Sequence, residues 1–218
     1  MHICKKSSIF VAIFCVMKQI SIQPQLLKGH EQFCYNGENH GITMLDFWQF
    51  QFSNIWDLQE HIAEFLVAKA LRIEKPYNRS GWTPFDILYR DKRIEVKESG
   101  YFYSWQKEGK TSNRRTFGIP QTYTRDKDGN IVLNSDGTYK KERQNDVYVF
   151  CLNKGKTKEE SNPLVLSSWE FYVVPTKVIN DVCGTNKTIS LSKVQKLSKC
   201  VTFEQLQEEI DKSILTVI

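Results

Sequence analysis

Four side chains in the first half of this chain have the types and spacing to do chemistry together. Glu64 lies in AEFLVAKAL, Asp86 ends Pro84-Phe85-Asp86, and Glu95 and Lys97 flank Val96. Carboxylates are hard oxygen donors of the kind magnesium takes. A lysine beside them can orient or deprotonate a water, or balance charge in a transition state. The stretch Phe85 to Glu98, FDILYRDKRIEVKE, supplies three of the four. By period it is two short strands joined by a tight polar turn. Ile87 and Leu88 are the apolar part of the first strand, Phe85 to Tyr89. In the second, Arg93 to Lys97, Ile94 and Val96 point one way and Arg93, Glu95 and Lys97 the other. A two-residue turn at Arg90 and Asp91 sets Tyr89 against Lys92 and Asp86 against Glu95. Two carboxylates then share a sheet face, with Lys97 one step further along. A slip of one residue sends Asp86 to the other face. Like charges opposite each other repel, and a divalent cation between them turns the repulsion into binding. The same residues also read as a surface hairpin with a solvated charged face.

The elements that must position these groups follow from the flanking pattern. Ser53 or Asn54 is a candidate helix cap, with Asp57, Gln59 and Glu60 suited to a first turn. The helix runs to about Leu71, with Ile62, Ala63, Leu66, Val67 and Ala70 as its packed stripe. Glu64 borders that stripe, where a carboxylate is costly to bury unless it is paired, protonated or on a metal; a route to solvent or a lysine partner is the plain alternative. Ahead of the helix, MLDFWQFQFSNIWDL (residues 44–58) is dense in aromatics. These rings cap a core, or else stack on bases. After the hairpin, Lys107, Lys110, Arg114 and Arg115 face one acid, Glu108. That is a phosphate contact or a solvated loop. Residues 121–145 read as turns around a short strand, Ile131 to Leu133. VYVFCL (147–152) is a buried central strand, and WEFYVV (169–174) is another, ending at Pro175. Phe203 to Leu215 is an amphipathic helix. The order helix, hairpin, loop, strand, strand, helix predicts an α/β protein with a mixed sheet and helices against it.

The totals narrow the class. A chain of 218 residues can bury a proper core. A net charge of +5 permits a polyanionic partner without demanding one. The six cysteines at 4, 15, 34, 151, 183 and 200 include no C-x2-C pair, which argues against a zinc site and for reduced thiols in a cytosol. The four histidines show no metal-binding spacing. Lys5 and Lys6 precede the apolar run Ile9 to Met17, which has the outline of a signal peptide but is too short to span a bilayer. It reads as an upstream extension with Met17 as the true start, as an export or membrane signal, or as a folded element. Residues 17–43 are a polar, irregular lead-in with at most one short helix. The expected organisation is an N-terminal extension over 1–43 and a single domain over 44–218, in a cytoplasmic protein.

A helix with a central glutamate, then P-x-D, then E-x-K on the next strand, resembles the PD-(D/E)XK nuclease superfamily. The wider text, DFWQFQFSN, AEFLVAKAL, IEVKESGYFYSW, DVYVF and WEFYV-P, resembles one bacterial family within it across about residues 43 to 210. Two positions depart from that family's pattern: Glu98 stands where it has serine, and Tyr103 where it has glutamine. Glu98 is expected to add an acid beside the site. The resemblance implies a restriction-endonuclease-like core, a central mixed β-sheet flanked by α-helices. It implies that Asp86 and Glu95 hold magnesium (manganese as a substitute), that Glu64 helps directly or through water, and that Lys97 handles the attacking water or the transition state. The implied reaction is phosphodiester hydrolysis, in DNA, by a homodimer or with a partner subunit. The other expectation is a protein that keeps this fold and binds nucleic acid or another partner without cutting. No zinc finger or separate helix-turn-helix is apparent for reading sequence.

Overall fold

The computed structural model describes residues 26–74, 83–105, 114–126 and 129–215. The chain opens with β1 (Gln32–Tyr35) and β2 (Glu38–Thr43), an antiparallel hairpin, and runs straight into α1 (Met44–Gln51). Asn36 and Gly37, both at positive φ, make its turn. Within the lead-in expected to be irregular, residues 32–43 are therefore a hairpin, and residues 17–25 lie outside the described residues. Thr43 caps α1 through a reciprocal box with Asp46. The expected cap at Ser53 or Asn54 is not used. A 3-10 turn over Ile55–Leu58 comes first, and α2 spans Gln59–Ala70.

Next come β3 (Ile87–Tyr89) and β4 (Lys92–Gly100), antiparallel. The long crossover after β4 carries β5 (Thr116–Gly118), β6 (Thr122–Tyr123) and β7 (Lys141–Glu142). The strand expected at Ile131 to Leu133 is reduced to single bridges, Arg125 with Ile131 and Leu133 with Tyr139. β8 (Val147–Asn153) then pairs parallel to β4, and β9 (Trp169–Pro175) pairs antiparallel to β8. The chain ends through α3 (Thr176–Cys183), β10 (Thr188–Ser190), α4 (Leu191–Leu197) and α5 (Phe203–Leu215).

The architecture is mixed α/β. Its central sheet runs β3-β4-β8-β9, with one parallel pair between two antiparallel ones. Every residue of β8 is buried, as a strand covered on both faces must be. Alternation splits the core in two. Ile94, Val96, Val147, Val149 and Cys151 pack against Ala63, Leu66 and Val67 of α2 and Leu206 and Ile210 of α5. Tyr148, Phe150 and Leu152 point the other way, into Phe117, Ile119, Ile179, Ile189 and Val194. Asp146 pins the start of the parallel pair, accepting from the Arg93 backbone N–H at 2.7 Å. Among the described residues no helix is long and apolar enough to cross a membrane.

Arg143 ties the second layer together from inside. It is 6% exposed. Its guanidinium donates to the carbonyls of Ile119, Gly184 and Asn186 and to the side chain of Asn180, at 2.7–2.9 Å. Nothing in the sequence pattern marks it, because its partners are backbone groups far along the chain. Lysine cannot reproduce a fork with that many directions. Arg143→Lys should cost about 3 kcal/mol of stability through stranded carbonyls, read from urea unfolding; a loss under about 0.5 kcal/mol, the size of an ordinary surface change, would show that the network is dispensable.

Candidate functional site

The β3–β4 hairpin closes through Arg90 and Asp91, at φ +49° and +60°. Tyr89 pairs with Lys92, Leu88 with Arg93 and Ile87 with Ile94. Asp86 lies one residue before β3, just beyond the last pair of this register. The backbone N–H of Asp86 donates to the Ile94 carbonyl at 3.0 Å. Its carboxylate Oδ2 accepts the Val96 backbone N–H at 2.8 Å. The side chain thus takes a donor that a longer β3 would have used, and it ties the open end of the hairpin to the strand carrying the other two groups.

On β4, Glu95 and Lys97 share the face of Tyr148 and Phe150, their partners in register on β8. Lys97 Nζ lies 2.6 Å from Glu95 Oε1, with the two side chains 24% and 19% exposed. Burial raises the Glu95 carboxyl above its usual range. Asp86 adds to the rise, Lys97 opposes it, and Glu64 contributes a smaller upward push. For Lys97, burial works to strip the proton, but Glu95, with Asp86 and Glu60, outweighs it, and the net shift is upward. Lys97 is therefore a cation at neutral pH.

Glu64 reaches this group from the other layer. The α2 residues around it, Ala63, Leu66 and Val67, cover the Ile94 and Val96 face of β4, opposite to Glu95 and Lys97. Glu64 is half-buried. Its charge acts on Glu95 and also on the fully buried Cys151, whose thiol is held well above its usual range by burial first and then by Glu98, Glu64 and Asp86. Among the described residues no three His, Cys, Asp or Glu side chains gather into a metal-holding group. Asp86 acts on Glu95 through its charge, and Glu64 acts on it more weakly.

The remaining expected residues separate. Lys107 and Lys110 lie outside the described residues. Arg114 is exposed, as a phosphate contact requires. Arg115 is 8% exposed, with its guanidinium 4.8 Å from the Tyr101 ring centroid, so it belongs to the interior rather than to a solvated basic loop. Glu98 does not join the acids at Glu95. Alternation places it with Ile94 and Val96, on the α2 side, where Tyr103 Oη reaches its Oε2 at 3.5 Å. That parity was legible in RIEVKE. The first part of the aromatic run departs from expectation: α1 buries no residue and Phe50 is 81% exposed, so the α1 rings do not cap the core, while Trp56 is half-buried.

The chain matches no protein-family model, no curated protein and no solved structure.

Glu95 gives stability a definite pH dependence. Its folded pKa lies above the unfolded value, so its contribution falls as pH rises from the ordinary carboxylate range to the folded midpoint. Lys97→Met removes the group that limits the rise. The gap in urea midpoint between wild type and Lys97→Met should therefore widen as pH rises above the ordinary carboxylate range. A gap constant with pH would mean that the 2.6 Å ion pair is absent in solution.

Proposed function

We propose that this chain is a divalent-metal-dependent phosphodiesterase of the restriction-endonuclease-like kind, acting on DNA. The observation that supports the reading is that the Asp86 carboxylate, held on the Val96 N–H of β4, pushes the Glu95 carboxyl up while Lys97 ion-pairs with Glu95. Both acids are hard oxygen donors, and the Asp86 charge pushes the Glu95 carboxyl up, an electrostatic condition that favours taking up a cation. A cation there, magnesium or manganese, would neutralise the scissile phosphate and acidify a water.

The rest falls to the chain's own groups. Asp86 and Glu95 hold the cation, with Glu64 acting through space or through water from the α2 side. Lys97, charged in the resting state, fits the role of a donor to the phosphate oxygens as negative charge builds up. It fits that role better than that of a base, because a base must first lose the proton that Glu95 and Asp86 help it keep. Moving Lys97 from Glu95 to the phosphate would free the Glu95 carboxylate at the moment it is needed. Arg114, with Lys107 and Lys110, would contact the flanking phosphates, a sequence-independent contribution that weakens with salt.

A second reading has its own support. The Glu95–Lys97 pair is closed, and no three-carboxylate group gathers among the described residues. That arrangement also suits a protein that binds nucleic acid on this fold without cutting it.

Purified protein incubated with plasmid, linear duplex, single-stranded DNA and RNA separates the two, with and without magnesium or manganese. Wild type should cut DNA only with metal. Asp86→Asn and Lys97→Met should each slow cutting by about a hundredfold or more, the size of losing one charge-stabilising contact. Cutting that persists in both variants would remove these residues from the site. Binding without cutting under every metal condition would establish the second reading.

A further inference from the structure

Gln59 opens α2 and is 2% exposed. Its side-chain Nε2 donates to the carbonyls of Trp56, at 3.2 Å, and Phe102, at 2.9 Å. Two good acceptors fix the orientation of the amide, so its Oε1 must face away from them. That oxygen is buried and has no hydrogen-bond partner. Glu98 Oε1 is the same: buried and without one. The two oxygens converge on one glycine. A Cβ built on Gly100 would stand 3.0 Å from Gln59 Oε1 and 3.3 Å from Glu98 Oε1. Two buried acceptors facing one space each lose the free energy of an unmade hydrogen bond unless a donor stands between them.

The other oxygen of Glu98 is accounted for. Tyr103 Oη accepts the Gly100 backbone N–H at 2.7 Å and directs its own proton towards Glu98 Oε2 at 3.5 Å. Glu98 Oε1 and Gln59 Oε1 are the two acceptors beside Gly100 left without a hydrogen-bond partner. A single proton completes the chain.

We propose that Glu98 keeps its proton in the native protein and donates it to the Gln59 side-chain carbonyl, closing a clasp between the start of α2 and the end of β4. The clasp joins the Trp56–Gln59 turn to the Gly100–Tyr103 segment, directly after the Glu95-Val96-Lys97 stretch. It stands whether or not the chain cuts DNA. The groups around it bear this out. Burial lifts the Glu98 carboxyl to about 8, and Glu60 on α2 adds to the rise. Tyr103 and Arg115 work against it. On β8, Cys151 faces Glu98 as a neutral thiol, its own pKa raised by burial and then by Glu98. The only cation among these groups, Arg115, does not outweigh burial and Glu60.

The sign is fixed by linkage. A carboxyl whose folded pKa exceeds its unfolded value gives full stability below the unfolded pKa and loses it as pH rises to the folded pKa. Glu98→Gln carries a donor at every pH. The shortfall in urea midpoint of wild type against Glu98→Gln should grow from about pH 5 and level off above about pH 8. In wild type, carbon-13 NMR of the side-chain carboxyls, assigned by through-bond correlation, should show Glu98 titrating near 8. The second readout holds even if Glu98→Gln fails to fold. A Glu98 midpoint below about 6, near an ordinary carboxylate, would overturn the proposal. So would such a midpoint together with a magnesium-induced shift of the same resonance, which would assign the two oxygens to a cation instead.

Discussion

Two consecutive residues other than glycine, Arg90 and Asp91, hold φ of +49° and +60°, and every side chain on β4 takes its place from that turn. Left-handed backbone costs an L-residue about 1 kcal/mol or more, and a two-residue hairpin turn of this hand ordinarily uses Asn-Gly. Here the neighbours hold it. The Arg90 guanidinium stacks 5.0 Å from the Tyr89 ring centroid and pairs with Asp211 of α5 at 3.1 Å. The hairpin tip is thereby fastened to the C-terminal helix, and the β3–β4 register is fastened with it.

Much of this was readable before any coordinates. Alternation in RIEVKE located β4, and the polar pair at 90–91 located its turn. VYVFCL is apolar without a break because β8 is covered on both faces, and WEFYVV and the stripe of α5 are equally direct. What the sequence left hidden has physical causes. The β1–β2 hairpin is exposed throughout, so it has no apolar face to alternate. α1 is rich in rings, which the pattern assigns to a core, yet none of its residues is buried. Arg115 and Arg143 look like surface cations until the aromatic face and the carbonyls that surround them are known; both kinds of partner come from distant sequence. Glu98 reads as an addition to the acid group, although its parity in RIEVKE places it on the other face.

That parity changes the meaning of the acidic stretch. Glu95-Val96-Lys97-Glu98 is not one cluster of charge. Glu95 and Lys97 face Tyr148 and Phe150 and form a half-buried ion pair; Glu98 faces α2, where Tyr103 Oη reaches it. Ion pairs this enclosed return little net stability against an apolar alternative. A lysine kept charged against a carboxylate that a second carboxylate repels is more readily understood as poised for a ligand than as a structural brace. On the α2 side, Tyr103 Oη reaches Glu98 Oε2 at 3.5 Å.

The central claim is that Asp86 and Glu95 form a cation site. Manganese soaked into crystals of the protein tests it most directly, because its anomalous scattering marks the ion without reference to activity. The account predicts a peak between the Asp86 and Glu95 carboxylates, with Lys97 Nζ drawn away from Glu95. A manganese-soaked crystal with no peak there and the Glu95–Lys97 pair still closed at 2.6 Å would contradict it.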